Sequence, residues 1–310
     1  MFKKVNNCKL KSHQWCLTHK RQCALVGAGP DYNCAGLPCW DYSFAGKRLQ
    51  EEGETKRVFI AYAAYHCSQR TPLLVIENVK GLRIEMIKWL FCLHYDIHIL
   101  VCGVEDQGHD GASRDRLWII LSHKERTKQL FDPAELYRMV CKSIRTYVCT
   151  KPADYSIAPP VEIKNEAMHL ATDNYRTLLT GRELQCLDDA EEEYRKIYQQ
   201  SPEQDPDLVI YLGDTFCVRK TWSGTSRRIP TFRAGGGLMW WYAQNRWMTN
   251  RERLSSLAFP VTSEVASSMN VPQLPIRDHS RASAISGNSM CFATAAIVQL
   301  VALICFQQTC

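Results

Sequence analysis

The stretch CAGLPCWDYSF, residues 34–44, sets Cys39 directly after Pro38 in a loop-type Ala-Gly-Leu-Pro context. A thiol in such a turn becomes a nucleophile when nearby positive charge or a helix N-terminus favours the thiolate. Lys47 and Arg48 follow within the same segment. A free cysteine is also among the most buried residue types and packs as a small hydrophobe. The chain holds 15 cysteines, so this stretch alone leaves both readings open. Glu77 closes the apolar run LLVIE, residues 73–77. A carboxylate at the carboxyl end of a buried strand faces the crevice where α/β sheets bind ligands; an N-cap or a salt-bridged loop acid accounts for it equally well. In GASRDRLWIIL, Arg114 and Arg116 stand two apart just ahead of a strand-like run. Strand alternation sends both to one face.

These residues need elements to position them. LLVIE follows Pro72 and runs into NVKG, as a buried strand running into a loop does. TKRVFIAYAAYHC before it spaces Val58, Tyr62 and Tyr65 along one helix face, and IEMIKWLF after it is again helical. YDIHILVC and RLWIIL read as strands. Strand and helix in alternation predict an α/β sheet with its chemistry at the strand ends. After about residue 125 the pattern changes. DPAELYRMVCKSIR opens with Asp132 as N-cap, Pro133 at the first helical position and Glu135 three past the cap. GRELQCLDDAEEEYRKIYQQ is an acidic helix with a solvated face, and TWSGTSRRIPTFRAGGGLMWWYAQNRW is rich in Arg, Gly and Trp.

GLPCxxxS, ENVKGL and SRDRLWIIL occur in one order, followed by RWMTNRERLSSLAFP and GNSMCFATAAIVQLVALI. Together they resemble the cytosine-C5 methyltransferase family, over almost the whole chain. The resemblance implies a Rossmann-like, S-adenosylmethionine-dependent methyltransferase sheet with a smaller, irregular target-recognition lobe. It implies a partial catalytic domain over residues 1–124, the lobe over 125–245, and a return to the catalytic domain over 246–310. In the implied reaction the Cys39 thiolate adds to C6 of a cytosine in DNA, Glu77 protonates or hydrogen-bonds N3, and C5 takes the methyl group. A base in a duplex has to be flipped out of the stack first. Arg114 and Arg116 would support the flipped base, and Ser43 would touch a phosphate. Pro38 and Asn288 would contribute to the cofactor pocket, with Gly287–Asn288 opening a terminal helix over 287–306. RNA is an alternative substrate within the same family, and a nucleic-acid-binding homologue without activity is another reading.

The chain departs from the family pattern at several positions. Trp40 stands where many members carry Gln after the catalytic cysteine, Ala112 where the arginine segment usually opens on Gln, and Asn250 where Pro is usual. Ahead of the Pro-Cys loop the family has a strand, a glycine loop and two further strand–helix units. ALVGAGPDYN, with Gly27 and Gly29, is a poor substitute: Pro30 follows and no helix opens at the required spacing. The expectation is therefore a sheet incomplete at its front, in a truncated or inactive homologue or a fragment of a longer protein.

The remaining signals are weaker. A formal charge of +6 is compatible with a polyanionic partner without implying one. Arg227, Arg228 and Arg233 form a local positive patch suited to backbone phosphates, whereas the aromatics of GLMWWYAQNRW read as core more readily than as a base-stacking platform. Scattered cysteines without a secretory leader predict free thiols in an intracellular compartment, the nucleus in a eukaryote and the cytoplasm otherwise. CFATAAIVQLVALICF, residues 291–306, falls short of a membrane span and is expected to be a buried core helix. Cys8, Cys16, His19 and Cys23 lack the tight paired spacing of structural zinc sites, so no metal site is assigned from spacing.

Overall fold

In a computed structural model, which describes residues 5, 7–25, 29–43, 46, 49–167, 174–233, 237–276 and 278–309, the chain opens with an antiparallel hairpin of β1 (His13–Cys16) and β2 (Arg21–Ala24). Next come β3 (Tyr32–Gly36), α1 (Lys56–Gln69), β4 (Leu73–Asn78), α2 (Ile84–Phe91), β5 (Tyr95–Cys102), β6 (Arg116–His123), β7 (Thr127–Gln129) and α3 (Pro133–Ile144). The rest comprises α4 (Pro160–Glu166), α5 (Gly181–Tyr198), β8 (Val209–Tyr211), α6 (Ser223–Ser226), β9 (Met239–Trp241), β10 (Arg246–Trp247), α7 (Asn250–Ser255), α8 (Ser263–Ser268), α9 (His279–Asn288), α10 (Phe292–Cys305) and β11 (Phe306–Gln308).

The chain divides into two units. The first takes Met1–Cys102, Asp115–Val140 and Ala296–Cys310; the second takes Gly103–Arg114 and Cys141–Ala295. The first is built on a sheet of order β3-β4-β6-β5. β4 is a central strand, and Leu73, Leu74, Val75 and Ile76 are all buried, as a strand covered on both faces requires. β3 joins it in parallel through α1, while β6 runs antiparallel to both β4 and β5. The α/β class read from the strand–helix alternation holds, on a mixed sheet. Phe59 and Ala63 of α1 and Met86, Ile87, Leu90 and Phe91 of α2 pack with Leu74, Ile76, Leu117, Ile119 and Leu121 into its core. β11 pairs antiparallel with β7 at a separate small sheet.

The second unit has a sheet of order β10-β9-β8. Trp240, Trp241 and Tyr242 are buried, as the core reading of GLMWWYAQNRW anticipates. α5 starts on a capping box, in which the Glu183 N–H donates to Thr180 Oγ1 and the Thr180 N–H to Glu183 Oε2. It buries Cys186, Leu187, Ala190 and Tyr194; of its acids Asp188 and Glu192 are exposed, whereas Glu183, Asp189, Glu191 and Glu193 are half-buried, so the solvated acidic face holds only in part.

Two expectations are corrected. The terminal helix is broken: α9 ends at Asn288 and α10 begins at Phe292, so Gly287 and Asn288 finish one helix instead of opening the next. At the break the Arg114 guanidinium donates to the carbonyls of Ser286, Gly287 and Ser289, satisfying groups that a helix leaves unpaired at its C-terminus. α10 is also only half buried: Val298, Val301, Ala302 and Cys305 face inward, while Leu300, Leu303 and Ile304 are exposed. Among the described residues no single helix is long and apolar enough to cross a membrane.

Candidate functional site

β3 delivers the chain to Leu37, Pro38 and Cys39 at the carboxyl end of the sheet, beside the end of β4. Gly36 is in register with Glu77 across the parallel β3–β4 pair. One residue on, the Asn78 side-chain amide donates to the carbonyl of Leu37 at 2.9 Å, and Asn78 is buried. The Pro-Cys loop is thereby tied to the carboxylate-bearing strand end by backbone register and by a buried hydrogen bond.

Beyond Pro38 the chain makes one tight turn. The N–H groups of Tyr42 and Ser43 donate to the Cys39 carbonyl at 2.9 and 2.7 Å. Two side chains of the turn are anchored inward. Tyr42 donates its hydroxyl to Met86 Sδ at 3.0 Å and meets Phe59 edge-on. Asp41, 4% exposed, accepts from the backbone N–H and the hydroxyl of Thr55 at 3.0 and 2.6 Å, at the start of α1. Gly81, after the Glu-Asn-Val segment, sits so close to this turn that an added Cβ would lie 2.5 Å from the Tyr42 carbonyl. Pro38, Cys39 and Ser43 are half-buried, and Trp40 is 68% exposed. Lys47 and Arg48 lie outside the described residues.

Glu77 is held by an arginine. Arg116 Nε lies 3.0 Å from Glu77 Oε1, with both side chains largely withdrawn from solvent. Arg116 Nη1 also donates to the Asp115 carbonyl, and Lys80 pairs with Asp115 at 2.6 Å. A partly buried bridge of this kind fixes the carboxylate's orientation more than it adds stability.

Arg114 has other partners. β6 begins at Arg116, so the strand whose alternation the sequence suggested does not include residue 114. Arg114, 2% exposed, belongs to the second unit, where it binds the last carbonyls of α9. A cation there also opposes the negative end of the helix dipole.

The donor-pocket residues stand as follows. Asn288 is exposed, and its amide donates to the Ala284 carbonyl of its own helix at 3.0 Å. Gly27 lies outside the described residues; Gly29 packs so tightly on Gln69 that a Cβ would come within 2.6 Å of the Gln69 Cβ. Among the described residues no strand, glycine loop and helix follow one another ahead of the Pro-Cys loop.

The arginine patch has internal acidic partners. Arg227 pairs with Asp205 at 2.7 Å and Asp207 at 3.1 Å, Arg228 with Glu105 at 2.7 Å, and Arg233 with both oxygens of Asp214 at 2.7 and 2.8 Å. Arg233 also stacks over Tyr211 at 4.6 Å. The hydrogen bonds and charge attraction between them hold the Arg233 guanidinium above its ordinary value and the Asp214 carboxyl below its own, against the opposing effect of burial. The local charge is thus largely neutralised within the lobe.

Sequence reasoning missed Asn78, Asp41 and Gly81, which fix the loop. Asn78 was visible beside Glu77 but without a partner to name. It also missed Glu252, fully buried in the second unit, which receives both Arg246 Nη groups at 2.9 and 2.7 Å and the Thr249 N–H at 2.8 Å. Thr249 and Glu252 form the capping box of α7. Asn250 therefore occupies the first helical position, where Pro is favoured because it needs no hydrogen-bond acceptor; Asn fills it without breaking the cap.

The chain belongs to the family of C-5 cytosine-specific DNA methylases, whose model matches residues 19–289. Its members are methyltransferases, and this chain has a mixed α/β architecture. Among solved structures, the chain is similar to a Dnmt2 methyltransferase from S. pombe at 13% identity, covering 88% of this chain and 78% of that one with a TM-score of 0.49. It is also similar to the methyltransferase EhMeth from Entamoeba histolytica at 12% identity, covering 87% and 75% with a TM-score of 0.45. No curated protein matches the chain.

Proposed function

We propose that the chain modifies C5 of cytosine in DNA, with Cys39 as the nucleophile and Glu77 as the acid. The observation that supports this most directly is the coupling of the Pro-Cys loop to the Glu77–Arg116 pair through the Asn78–Leu37 hydrogen bond. Attack of the Cys39 thiolate on C6 places an electron pair on the ring. A proton from Glu77 to N3 neutralises the developing charge, and C5 becomes an enamine-type nucleophile. Placed acids of this kind contribute about 10²–10⁴-fold. Arg116 keeps the carboxylate aimed at one point throughout the cycle. Ser43, in the turn that follows Cys39, is the residue offered to a backbone phosphate, and the cytosine has to leave the duplex stack to reach the thiol.

S-adenosylmethionine, the donor that family membership implies, would supply an electrophilic methyl group to C5. Gly29 packs on Gln69, and Asn288 donates to a carbonyl of its own helix. That same observation favours a second reading, a homologue that binds cytosine-containing nucleic acid without methyl transfer.

The base-activating half is testable without a donor. Once Cys39 has added to C6, C5 exchanges its hydrogen with water before the adduct collapses. Release of tritium from C5-tritiated cytosine in DNA, absent in Cys39→Ser, is the expected result; RNA of the same sequence is the parallel substrate. Absence of exchange on both polymers overturns the catalytic reading, and binding retained in that case establishes the second.

A further inference from the structure

The N-terminal hairpin carries a group of ligands that lies apart from the Cys39 turn in the sequence and that the proposed chemistry does not use. His19 Nδ1 lies 3.5 Å from Cys16 Sγ and 3.3 Å from Cys23 Sγ, and the three potential donor atoms all lie within 4.8 Å of one another. We propose that Cys16, His19 and Cys23 bind a zinc-type divalent metal ion.

The donor spacing matches three corners of a tetrahedral metal site. Zinc–sulfur and zinc–nitrogen bonds of about 2.3 and 2.0–2.1 Å at a tetrahedral angle put sulfur and nitrogen about 3.6 Å apart, and two sulfurs about 3.8 Å apart. The two observed sulfur–nitrogen distances fall within a few tenths of an ångström of that edge. Two thiolates and an imidazole are the donor set zinc prefers, and they discriminate against the hard cations that take oxygen ligands. The His19 backbone N–H also donates to Cys16 Sγ at 3.4 Å, an outer interaction that stabilises charge on a ligating sulfur. The fourth corner is left to water or an added ligand. Cys8, the other cysteine of this region, packs against the core of the first unit and is not in the group.

Pairing, not spacing, creates the site. Cys16 lies opposite Arg21, and Cys23 lies opposite Gln14. The two cysteines are therefore diagonal neighbours, two residues off register on one face of the ribbon, where side chains still interact. The turn returns through Lys20 at φ 53°, bringing His19 back between them.

The hairpin also has the stability deficit that a metal relieves. An isolated two-stranded hairpin is marginal in water. In β1 and β2 only Cys16 and Cys23 are even half withdrawn from solvent, and Trp15 is 51% exposed. With almost no apolar burial of its own, this ribbon is of the kind that metal coordination holds together in small domains.

The test is Co(II) titration of the reduced full-length chain, followed by displacement with Zn(II). Stoichiometric uptake, a thiolate-to-cobalt charge-transfer band and the intense visible bands of tetrahedral cobalt are expected. Cys16→Ser, Cys23→Ser and His19→Ala should each weaken binding by more than about 100-fold, beyond the loss from removing a ligand's outer partner. His19→Cys guards against a folding artefact: it should retain tetrahedral cobalt with a stronger charge-transfer band. No uptake by the reduced parent chain overturns the proposal. So does uptake unchanged in the serine variants, or a Cys16–Cys23 disulfide that forms in preference to the metal complex when Co(II) is present.

Discussion

Asn78 reaches from the end of β4 to the carbonyl of Leu37, so the residue after the candidate acid Glu77 holds the backbone two residues before the candidate nucleophile Cys39. The bond is buried, and nothing else in that stretch could supply both the length and the donor. Asn78→Ala leaves a buried carbonyl short of its partner, which costs about 1–3 kcal/mol. Chemical denaturation should show that loss, and C5 hydrogen exchange should slow by more than stability alone explains, because the loop is no longer fixed beside Glu77.

Glu77→Gln keeps the size of the side chain and removes the acid. Its exchange rate on cytosine should fall by about 10²–10⁴-fold, with Cys39→Ser abolishing exchange altogether. Equal rates for Glu77→Gln and the parent chain would remove Glu77 from the chemistry and leave it as the ion-pair partner of Arg116.

In the second unit, Glu252 is fully buried and binds Arg246, itself 5% exposed. Breaking a buried pair by neutralising one partner strands the other charge, at about 3–5 kcal/mol. Glu252→Gln should lower the denaturation midpoint accordingly. Replacing Glu252 and Arg246 together with apolar residues of similar volume should cost less than the single change.

His66 gives the protein an acid limit. It is buried, with Nδ1 2.9 Å from Thr71 Oγ1, and burial pushes its imidazole from 6.5 down to about 4. The folded state keeps the ring neutral where the unfolded chain takes up a proton. Stability is therefore complete above pH 6.5 and falls as pH drops toward 4, by about 3 kcal/mol at 1.36 kcal/mol per unit. His98, His109 and His123, also lowered chiefly by burial, act in the same direction. His66→Gln should flatten the acid limb of a stability–pH curve measured by urea denaturation.

Thiol reactivity should divide the cysteines. Burial pushes the Cys67, Cys186 and Cys305 thiols up to about 11, so they are thiols, not thiolates, at neutral pH. Brief treatment with iodoacetamide and peptide mass mapping should leave these three unmodified in the folded chain and label exposed Cys92, Cys149 and Cys217.

The parts of the fold that were legible in the sequence are those fixed by local pattern. The buried run of β4, the strands of β5 and β6, and the capped start of α3 all follow from apolar period or cap chemistry within a few residues. What was not legible depends on distant partners. The break between α9 and α10 is bound by Arg114, more than 170 positions away in the chain. β6 starts between Arg114 and Arg116, a boundary that a two-residue period cannot locate. β1 and β2 show no apolar alternation at all, so neither the hairpin nor the approach of Cys16, His19 and Cys23 left a trace in spacing. Cys39 and Glu77 could be named from their motifs, whereas Asn78, Asp41 and Gly81 act through contacts that only the folded chain displays.

The first unit is assembled from three separate pieces of chain, the last of them Ala296–Cys310, with β11 pairing back onto β7. Residues 296–310 are synthesised only after the long central piece of the second unit, Cys141–Ala295, so the unit carrying Cys39 and Glu77 receives β11 and most of α10 last.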